Sequence, residues 1–283
     1  MQRAAVLFFL GAAASVATAA GITPPSPWES GLTFEHAKAA EGFAALHAKN
    51  PQDARIAIAY ASTLLVLQPR TSANIDAAYA LLKTAAVTGA PEGDAVIASY
   101  LLARVEQDHL SPADPDRART RYEALLREHP AHPLAGQAAV QLALLDAWAP
   151  PRLPVREAVA RIESLLAASR QPAASRELHF ILARLQWEDL HDATAAIAHL
   201  SAGRELGYEK PFRNAEVDLM IAGIAYEHGD RALALKHYRS YIAADQRNSR
   251  THTIRTRITE LETELGGSAS ASPATALTAP VQP

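Results

Sequence analysis

The sequence predicts an all-α protein built from a repeated pair of helices, and three observations support this prediction. The chain has 283 residues, of which 49% are hydrophobic, and alanine, the strongest intrinsic helix former, supplies much of that fraction. No stretch alternates apolar and polar residues in the way typical of a half-buried strand. A pattern of one small and two mostly larger apolar residues also recurs at intervals of 38 to 40 residues.

The first copy of this pattern lies in "HAKAAEGFAALHAKNP", where Ala39, Phe43 and Leu46 are four and three positions apart. Such positions share one helical face, so the alanine lets a neighbouring helix approach and the larger residues fill the groove beside it. The leading alanines of the six copies are 39, 40, 40, 38 and 38 residues apart. The other copies are Ala78, Leu82 and Ala85; Ala118, Tyr122 and Leu125; Ala158, Ile162 and Leu165; Ala196, Leu200 and Gly203; and Ala234, Tyr238 and Tyr241. This near-constant register predicts six packing seams. The last five lie on the second helices of pairs, and the first lies on a helix without a leading partner that packs directly on the helix near residues 52–67.

Partner helices are predicted between the seams, and turn signals such as "QPRTSAN", "LSPADP" and "HGD" precede the seam helices. An isolated helix pair cannot bury its apolar face, whereas stacked pairs bury one continuous core. The predicted first helices lie near residues 52–67, 93–108, 134–148, 174–189 and 214–228.

The segment Ala215–Asn248 resembles the tetratricopeptide repeat (TPR) family in a 34-residue register. The matching residues are Ile221 and Ala222 in the first helix, Gly229 and Asp230 at the turn, and Ala234 and Tyr238 in the second helix. The segments 39–51 and 118–130 match the second half of the pattern, and the resemblance covers about residues 33–250. It implies a right-handed α-solenoid of about five to six stacked antiparallel helix pairs with a C-terminal capping helix.

Three departures leave related helical-repeat families with longer units open. The repeat is 38–40 residues long, Gln246 stands where the family has a terminal proline, and Tyr241 replaces a small residue.

The first twenty residues have the pattern of a secretory signal peptide. Arg3 precedes an apolar run over residues 4–14, and Ala17-Thr18-Ala19 forms an A-x-A cleavage site. The alternative is a membrane anchor that is never cleaved. Cleavage predicts a protein secreted across the inner membrane into the periplasm, with no membrane span afterwards.

The remaining boundaries follow from composition and periodicity. Residues 21–32 are rich in helix breakers and are predicted to be coil, and residues 33–248 form the repeat domain. Residues 249–266 are predicted to form a capping helix, with a coiled-coil dimer seam as the alternative. Residues 267–283 have low complexity and are predicted to be disordered.

No sequence feature argues for catalysis, a cofactor, a metal or nucleic acid. The chain has no cysteine, its formal net charge is −3 without a basic stripe, and the common catalytic and phosphate-binding motifs are missing. His129 and His132 invite a metal hypothesis, but neighbouring prolines break the helix that would bring them together. We therefore predict no enzyme, no small-molecule substrate and no cofactor.

Three residues are candidates for contact with a partner: Trp187, Glu188 and Tyr226. They lie late in predicted first helices, and the TPR resemblance implies that such helices line a concave groove. The alternatives are packing against the next repeat for the aromatic residues and a solvated helix end for Glu188.

The function that the sequence predicts is an exported, non-catalytic scaffold that binds a protein or peptide in the cell envelope. One alternative is a permanent structural subunit or assembly factor of an envelope complex. The other is a cell-wall-acting enzyme on an α-solenoid, which would require a pocket with convergent carboxylates or histidines.

Overall fold

The computed structural model describes residues 26–87, 92–208, 210–244 and 250–270, and all regular secondary structure in these ranges is helical. The chain divides into two compact units, unit 1 over Met1–Leu153 and unit 2 over Pro154–Pro283. Consecutive helices within each unit pack on one another as antiparallel neighbours joined by short turns. The predicted all-α class and the succession of helix pairs are confirmed, while right-handed stacking over the whole of residues 33–248 stays a prediction. The predicted signal peptide lies outside the described residues.

Unit 1 contains the first seven described helices. They are α1 (Ser26–Leu32), α2 (His36–Lys49), α3 (Ala54–Val66), α4 (Ser72–Val87), α5 (Glu92–Asp108), α6 (Pro115–Glu128) and α7 (Pro133–Trp148). The seams lie on α2, α4 and α6, and the predicted partner helices correspond to α3, α5 and α7.

Unit 2 contains six described helices. They are α8 (Val155–Ala168), α9 (Pro172–Arg184), α10 (Ala193–Glu205), α11 (Pro211–His228), α12 (Arg231–Ala244) and α13 (Thr251–Ser270). A π-helical turn over Leu185–Asp189 continues α9. The seams lie on α8, α10 and α12.

The leading seam residues are buried in both units. Ala39, Ala78, Ala118, Ala196 and Ala234 have no exposed surface, and Ala158 is 1% exposed. The large seam residues Phe43, Leu82, Tyr122, Leu125, Ile162, Leu200, Tyr238 and Tyr241 are also buried, and Leu46 packs partly buried against the Phe43 cluster. The helices therefore approach one another closely at the alanine, and the large side chain four residues later fills the groove beside it.

Short polar residues at the turns begin the second helices. Asp114, Asp192 and Asp230 each accept a hydrogen bond from a backbone N–H in the first turn of α6, α10 and α12. This capping satisfies amide groups that have no partner within the helix. Gly229, at φ +93°, ends α11 in the left-handed conformation that glycine adopts without strain. The "GD" pair therefore ends one helix and starts the next.

The prediction of coil over residues 21–32 is wrong for the described part, because Ser26–Leu32 forms α1. Trp28 is buried and lies edge-on against Phe43, with ring centroids 4.9 Å apart. Gly42 permits this approach, since a Cβ atom there would lie 2.4 Å from Cγ of Pro27. The first seam helix thus has a short helix packed in front of it.

Gly42→Ala is expected to lower the free energy of unfolding by about 1–3 kcal/mol, because the added methyl group overpacks the α1–α2 contact. Gly223→Ala is the matched control, since a Cβ atom there would meet nothing within 4 Å and alanine favours the helix. Urea denaturation followed by circular dichroism measures both. An unchanged Gly42→Ala midpoint would show that α1 does not pack closely on α2.

The C-terminal helix α13 packs on α12 through Ile254 and Leu261, which are 8% and 0% exposed. It ends at Ser270, four residues beyond the predicted end of the capping helix. Disorder over residues 267–283 stays a prediction, and residues 271–283 lie outside the described residues.

Candidate partner-binding surface

The clearest exposed apolar feature of unit 2 is a row of side chains on α11. Phe212 and Met220 are 48% and 43% exposed, although residues of their size are usually buried. They lie eight residues apart with the exposed Glu216 midway, so the three side chains follow one face of the helix. Glu227 is exposed further along the same face. We call Phe212, Glu216, Met220 and Glu227 the α11 stripe.

The α11 stripe offers apolar anchors flanked by negative charge. Neither Glu216 nor Glu227 has an ion-pair partner among the residues that the structure describes. The opposite face of α11 is buried, with Val217, Ile221 and Ile224 packed in the core. The helix is therefore held rigidly by its core face while the stripe remains open to a partner.

Trp187, a predicted partner contact, lies in the π-helical turn after α9. Its indole is partly buried and packs against a cluster that includes Ala183, Leu200 and Ile221. This arrangement matches the alternative in which Trp187 packs against the next repeat, because neighbouring side chains cover most of the indole surface. A role for Trp187 in partner contact stays a prediction.

Glu188, in the same turn, is exposed and pairs with Arg184, with 2.8 Å between Nε and Oε2. An ion pair that is half exposed on both sides contributes little to stability. The Glu188 carboxylate stands at the surface as a solvated helix end, which leaves it accessible to a partner.

Tyr226, the third predicted contact, sits at the junction of α11, α12 and α13. The guanidinium groups of Arg231 and Arg257 lie over its ring, with Cζ 4.2 and 4.3 Å from the ring centroid. Arg257 also donates a 2.7 Å hydrogen bond to the Tyr226 hydroxyl. These cation–π contacts hold the capping helix to the last pair, so much of the Tyr226 ring is engaged within the unit.

The structure places three buried carboxylates on first helices that the sequence analysis did not single out: Glu106, Asp146 and Asp218. Their side chains are 0%, 0% and 2% exposed. Each is preceded by apolar residues, in "LLARVE", "LALLD" and "AEVD". An acid directly after an apolar residue in a predicted first helix is the sequence signal that could have identified them, and such a buried carboxylate requires a partner because an isolated buried charge is costly.

In unit 1 two arginines of α6 form ion pairs with the buried carboxylates of α5 and α7, the helices before and after it. Glu106 on α5 accepts hydrogen bonds from the Tyr79 hydroxyl of α4 at 2.9 Å and from Nε of Arg121 at 2.7 Å. Asp146 on α7 pairs with Nε of Arg119 at 3.3 Å. The carboxylates therefore link α4, α5, α6 and α7 across their packed faces.

In unit 2, Asp218 on α11 forms a similar centre with α10 and α12. Its carboxylate accepts hydrogen bonds from Nη2 of Arg204 at 2.9 Å, Nδ1 of His237 at 2.7 Å and Oγ of Ser240 at 2.7 Å. Burial raises the pKa of Asp218, but the hydrogen bonds from His237, Arg204 and Ser240 outweigh it, and the pKa lies below its usual value. Asp218 is therefore held ionised.

The Asp218 centre contains the residue types of a hydrolytic triad without its geometry. In a triad the serine hydroxyl bonds to the histidine, and the histidine bonds to the acid. Here Ser240 and His237 both donate to the same carboxylate, so the hydroxyl is not activated by the imidazole. The centre joins three helices rather than preparing a nucleophile.

His129 and His132 are occupied by local contacts. Nδ1 of His129 lies 3.1 Å from a Glu92 carboxylate oxygen, and Nδ1 of His132 accepts a hydrogen bond from the backbone N–H of Leu134 at the start of α7. Within the described ranges, no three His, Cys, Asp or Glu side chains come together as the ligands of a metal ion.

The stability of unit 1 is expected to fall as the pH falls from about 7.5 to 5.5. Burial lowers the pKa of His109 and of His132 below the ordinary value of 6.5. The charge of Arg70 lowers the pKa of His109 further, and the charge of His129 lowers that of His132 further. Below about pH 6.5 the unfolded chain therefore binds more protons than the folded chain. The contribution of these histidines to the free energy of unfolding is fully present above the unfolded pKa and is lost as the pH falls towards the folded pKa. Protonated His132 also cannot accept from Leu134.

Urea denaturation at the two pH values tests this expectation, with His132→Asn as a control that keeps a cap without titrating. The midpoint of the wild type should fall at the lower pH, and the midpoint of the variant should fall less. A wild-type midpoint that is equal or higher at pH 5.5 would contradict it.

A shallow depression along α13 is lined by Thr256, Thr259, Glu260, Thr263 and Glu264. All five residues come from one helix, so the depression does not bring together groups from different elements. None of the described helices is both long and apolar enough to cross a membrane.

Comparisons with known proteins find matching solved structures but no matching family. No protein-family model and no curated protein matches it at a significant level. Among matching solved structures is the "Crystal structure of APC/C hetero-tetramer Cut9-Hcn1", at 15% sequence identity and a TM-score of 0.47. The match covers 83% of this chain and 41% of the other, so this chain spans less than half of its length.

Proposed function

We propose that this protein is an exported, non-catalytic helical-repeat scaffold that binds a protein or peptide partner in the cell envelope. The observation that supports this most directly is the α11 stripe, where Phe212 and Met220 stand 48% and 43% exposed on one helical face. Aromatic residues and methionine are enriched at protein interfaces, and helical-repeat proteins use extended helix surfaces to bind their partners.

The partner that fits the stripe combines apolar side chains with basic ones. Phe212 and Met220 offer the apolar contacts, and Glu216 and Glu227 offer negative charge without competing internal ion pairs among the described residues. Complementary charge speeds encounter and selects among partners more than it raises affinity. The interleaving of charge favours reversible binding over a permanent interface, whose core is depleted of charged residues.

Site-specific photocrosslinking tests the proposed surface. A benzoylphenylalanine placed at Phe212 or at Met220 is expected to give discrete protein adducts in cells that produce the chain. Val87, 78% exposed at the end of a second helix, is the matched position and is expected to give none. Adducts at all three positions alike, or at none of them, would contradict partner binding at the α11 stripe.

Export is proposed on the signal-peptide pattern of the first twenty residues. Arg3, the apolar run over residues 4–14 and Ala17-Thr18-Ala19 are the features of a cleaved leader. Mass spectrometry of the chain recovered from fractionated bacterial cells should show a periplasmic form that begins near residue 20. Recovery of the uncleaved chain in the cytoplasmic fraction alone would contradict export.

A further inference from the structure

Two half-buried histidines face each other where α9 packs on α10 in unit 2. Nδ1 of His179 lies 3.1 Å from Nδ1 of His199, and their ring centroids are 5.3 Å apart. Neither the packing seams nor the α11 stripe uses this pair. The rings are partly exposed, so a small solute can reach them from solvent.

The contact constrains the protons of the pair. At 3.1 Å one Nδ1 carries a proton and donates it, while the other Nδ1 presents its lone pair; two protonated Nδ1 atoms would repel. Burial lowers the pKa of both rings, and the charge of His199 further lowers that of His179. The contact itself therefore leaves at least one Nδ1 unprotonated, the form in which imidazole is a metal ligand.

The spacing of the two nitrogens suits one metal ion. Zinc–imidazole bonds of about 2.0–2.1 Å in a tetrahedral site place two ligand nitrogens about 3.3 Å apart. The observed separation is 3.1 Å, so binding requires that one ring move its proton from Nδ1 to Nε2 and that the rings rotate until both lone pairs point at the ion. That change of tautomer releases no net proton and exposes the second lone pair.

The surrounding charges also favour a cation. The Glu163 carboxylate on α8 acts on His199, where it offsets part of the effect of burial. Arg176, three residues before His179 on α9, contacts other groups: its guanidinium lies 4.2 Å from the Tyr208 ring centroid and donates a hydrogen bond to the Gly207 carbonyl.

We infer that His179 and His199 form a two-histidine site for a divalent transition metal such as Zn²⁺ or Cu²⁺, with water completing the coordination shell. Imidazole nitrogen suits these ions rather than Mg²⁺ or Ca²⁺, which prefer oxygen ligands. The ion would bridge α9 and α10, and it would stabilise unit 2 because it binds the folded pair and not the separated helices.

Isothermal titration of the metal-free full chain with Zn²⁺ tests the site. The wild type is expected to show a saturable site whose affinity falls at least about tenfold in both His179→Gln and His199→Gln. His228→Gln, which removes an exposed histidine from the end of α11, should bind as the wild type does. Equal Zn²⁺ binding by all four proteins would overturn the inference and leave a simple hydrogen-bonded pair.

A second measurement needs no variant and so does not depend on the variants folding. One equivalent of Cu²⁺ on the wild type should give an electron paramagnetic resonance spectrum with coupling to two imidazole nitrogens. Coordination by oxygen alone, or by a single nitrogen, would contradict a site formed by both rings. Mg²⁺ in tenfold excess should displace neither ion, and displacement would likewise contradict imidazole ligation.

Discussion

Asp218→Ala is expected to lower the free energy of unfolding by about 2–4 kcal/mol, because it removes a buried carboxylate and the hydrogen bonds that three neighbouring side chains make to it. The variant leaves Arg204, His237 and Ser240 without the carboxylate that all three contact. The donors of His237 and Ser240 would then lie in the packed interface without an acceptor, whereas Arg204, whose side chain is 37% exposed, can turn to solvent. Urea denaturation at pH 7, followed by circular dichroism, measures the loss.

Two further variants separate charge from simple truncation. Asp218→Asn keeps the shape of the side chain without its charge, so its loss should lie between those of the wild type and Asp218→Ala. Glu216→Ala removes an exposed carboxylate from the same helix and should change stability by no more than about 0.5 kcal/mol. If Asp218→Ala were no more destabilising than Glu216→Ala, the buried centre would not hold α10, α11 and α12 together.

Tyr122→Ala is expected to cost about 3–5 kcal/mol in unit 1, as truncations of buried aromatic residues do. Tyr122 has no exposed surface, its ring centroid lies 5.9 Å from that of Tyr100, and its hydroxyl donates a 2.9 Å hydrogen bond to Gln107. Removing the ring leaves a cavity at the centre of a seam that the neighbouring helices cannot fill without moving.

Tyr122→Phe is the matched control, because it keeps the ring and removes only the hydroxyl. Its expected cost is about 0.5–1.5 kcal/mol, the net value of one hydrogen bond. Chemical denaturation of both variants distinguishes packing from hydrogen bonding at this position. A Tyr122→Phe loss as large as that of Tyr122→Ala would show that the hydroxyl, and not the filled seam, dominates.

These variants also bear on the proposed function. The Asp218 and Tyr122 substitutions act on stability, whereas substitutions at Phe212 and Met220 remove surface contacts and should leave stability close to that of the wild type. A variant that loses its partner while keeping its denaturation midpoint therefore identifies a binding residue. A variant that loses both at once identifies a residue of the helical framework.

The helices were predictable because their signals are local. An alanine with bulky residues four and seven positions later needs only one helix to define a face, and Asp114, Asp192 and Asp230 cap helices within their own first turn. The predicted first helix at residues 214–228 therefore corresponds to α11 at Pro211–His228.

The missed helix α1 has a physical explanation. Prolines and a glycine in "GITPPSPWES" predict coil when the segment is taken alone, yet proline is well tolerated in the first turn of a helix. The helix α1 is stabilised by the contact of Trp28 with Phe43 and by the space that Gly42 leaves. Phe43 and Gly42 both lie in the next helix, α2. Gly42, conspicuous in an alanine-rich helix, is the signal that could have indicated a close neighbour.

The sequence by itself determined the repeat, its register and the residues that separate one helix from the next, because each depends on side chains a few positions apart. Only the tertiary structure decided which polar and aromatic groups lie inside. Trp187 and Tyr226 are partly buried against neighbouring helices, whereas Phe212 and Met220, which the sequence analysis does not single out, stand exposed. Burial depends on which surface of another helix covers a given face, and that surface comes from residues distant in the chain.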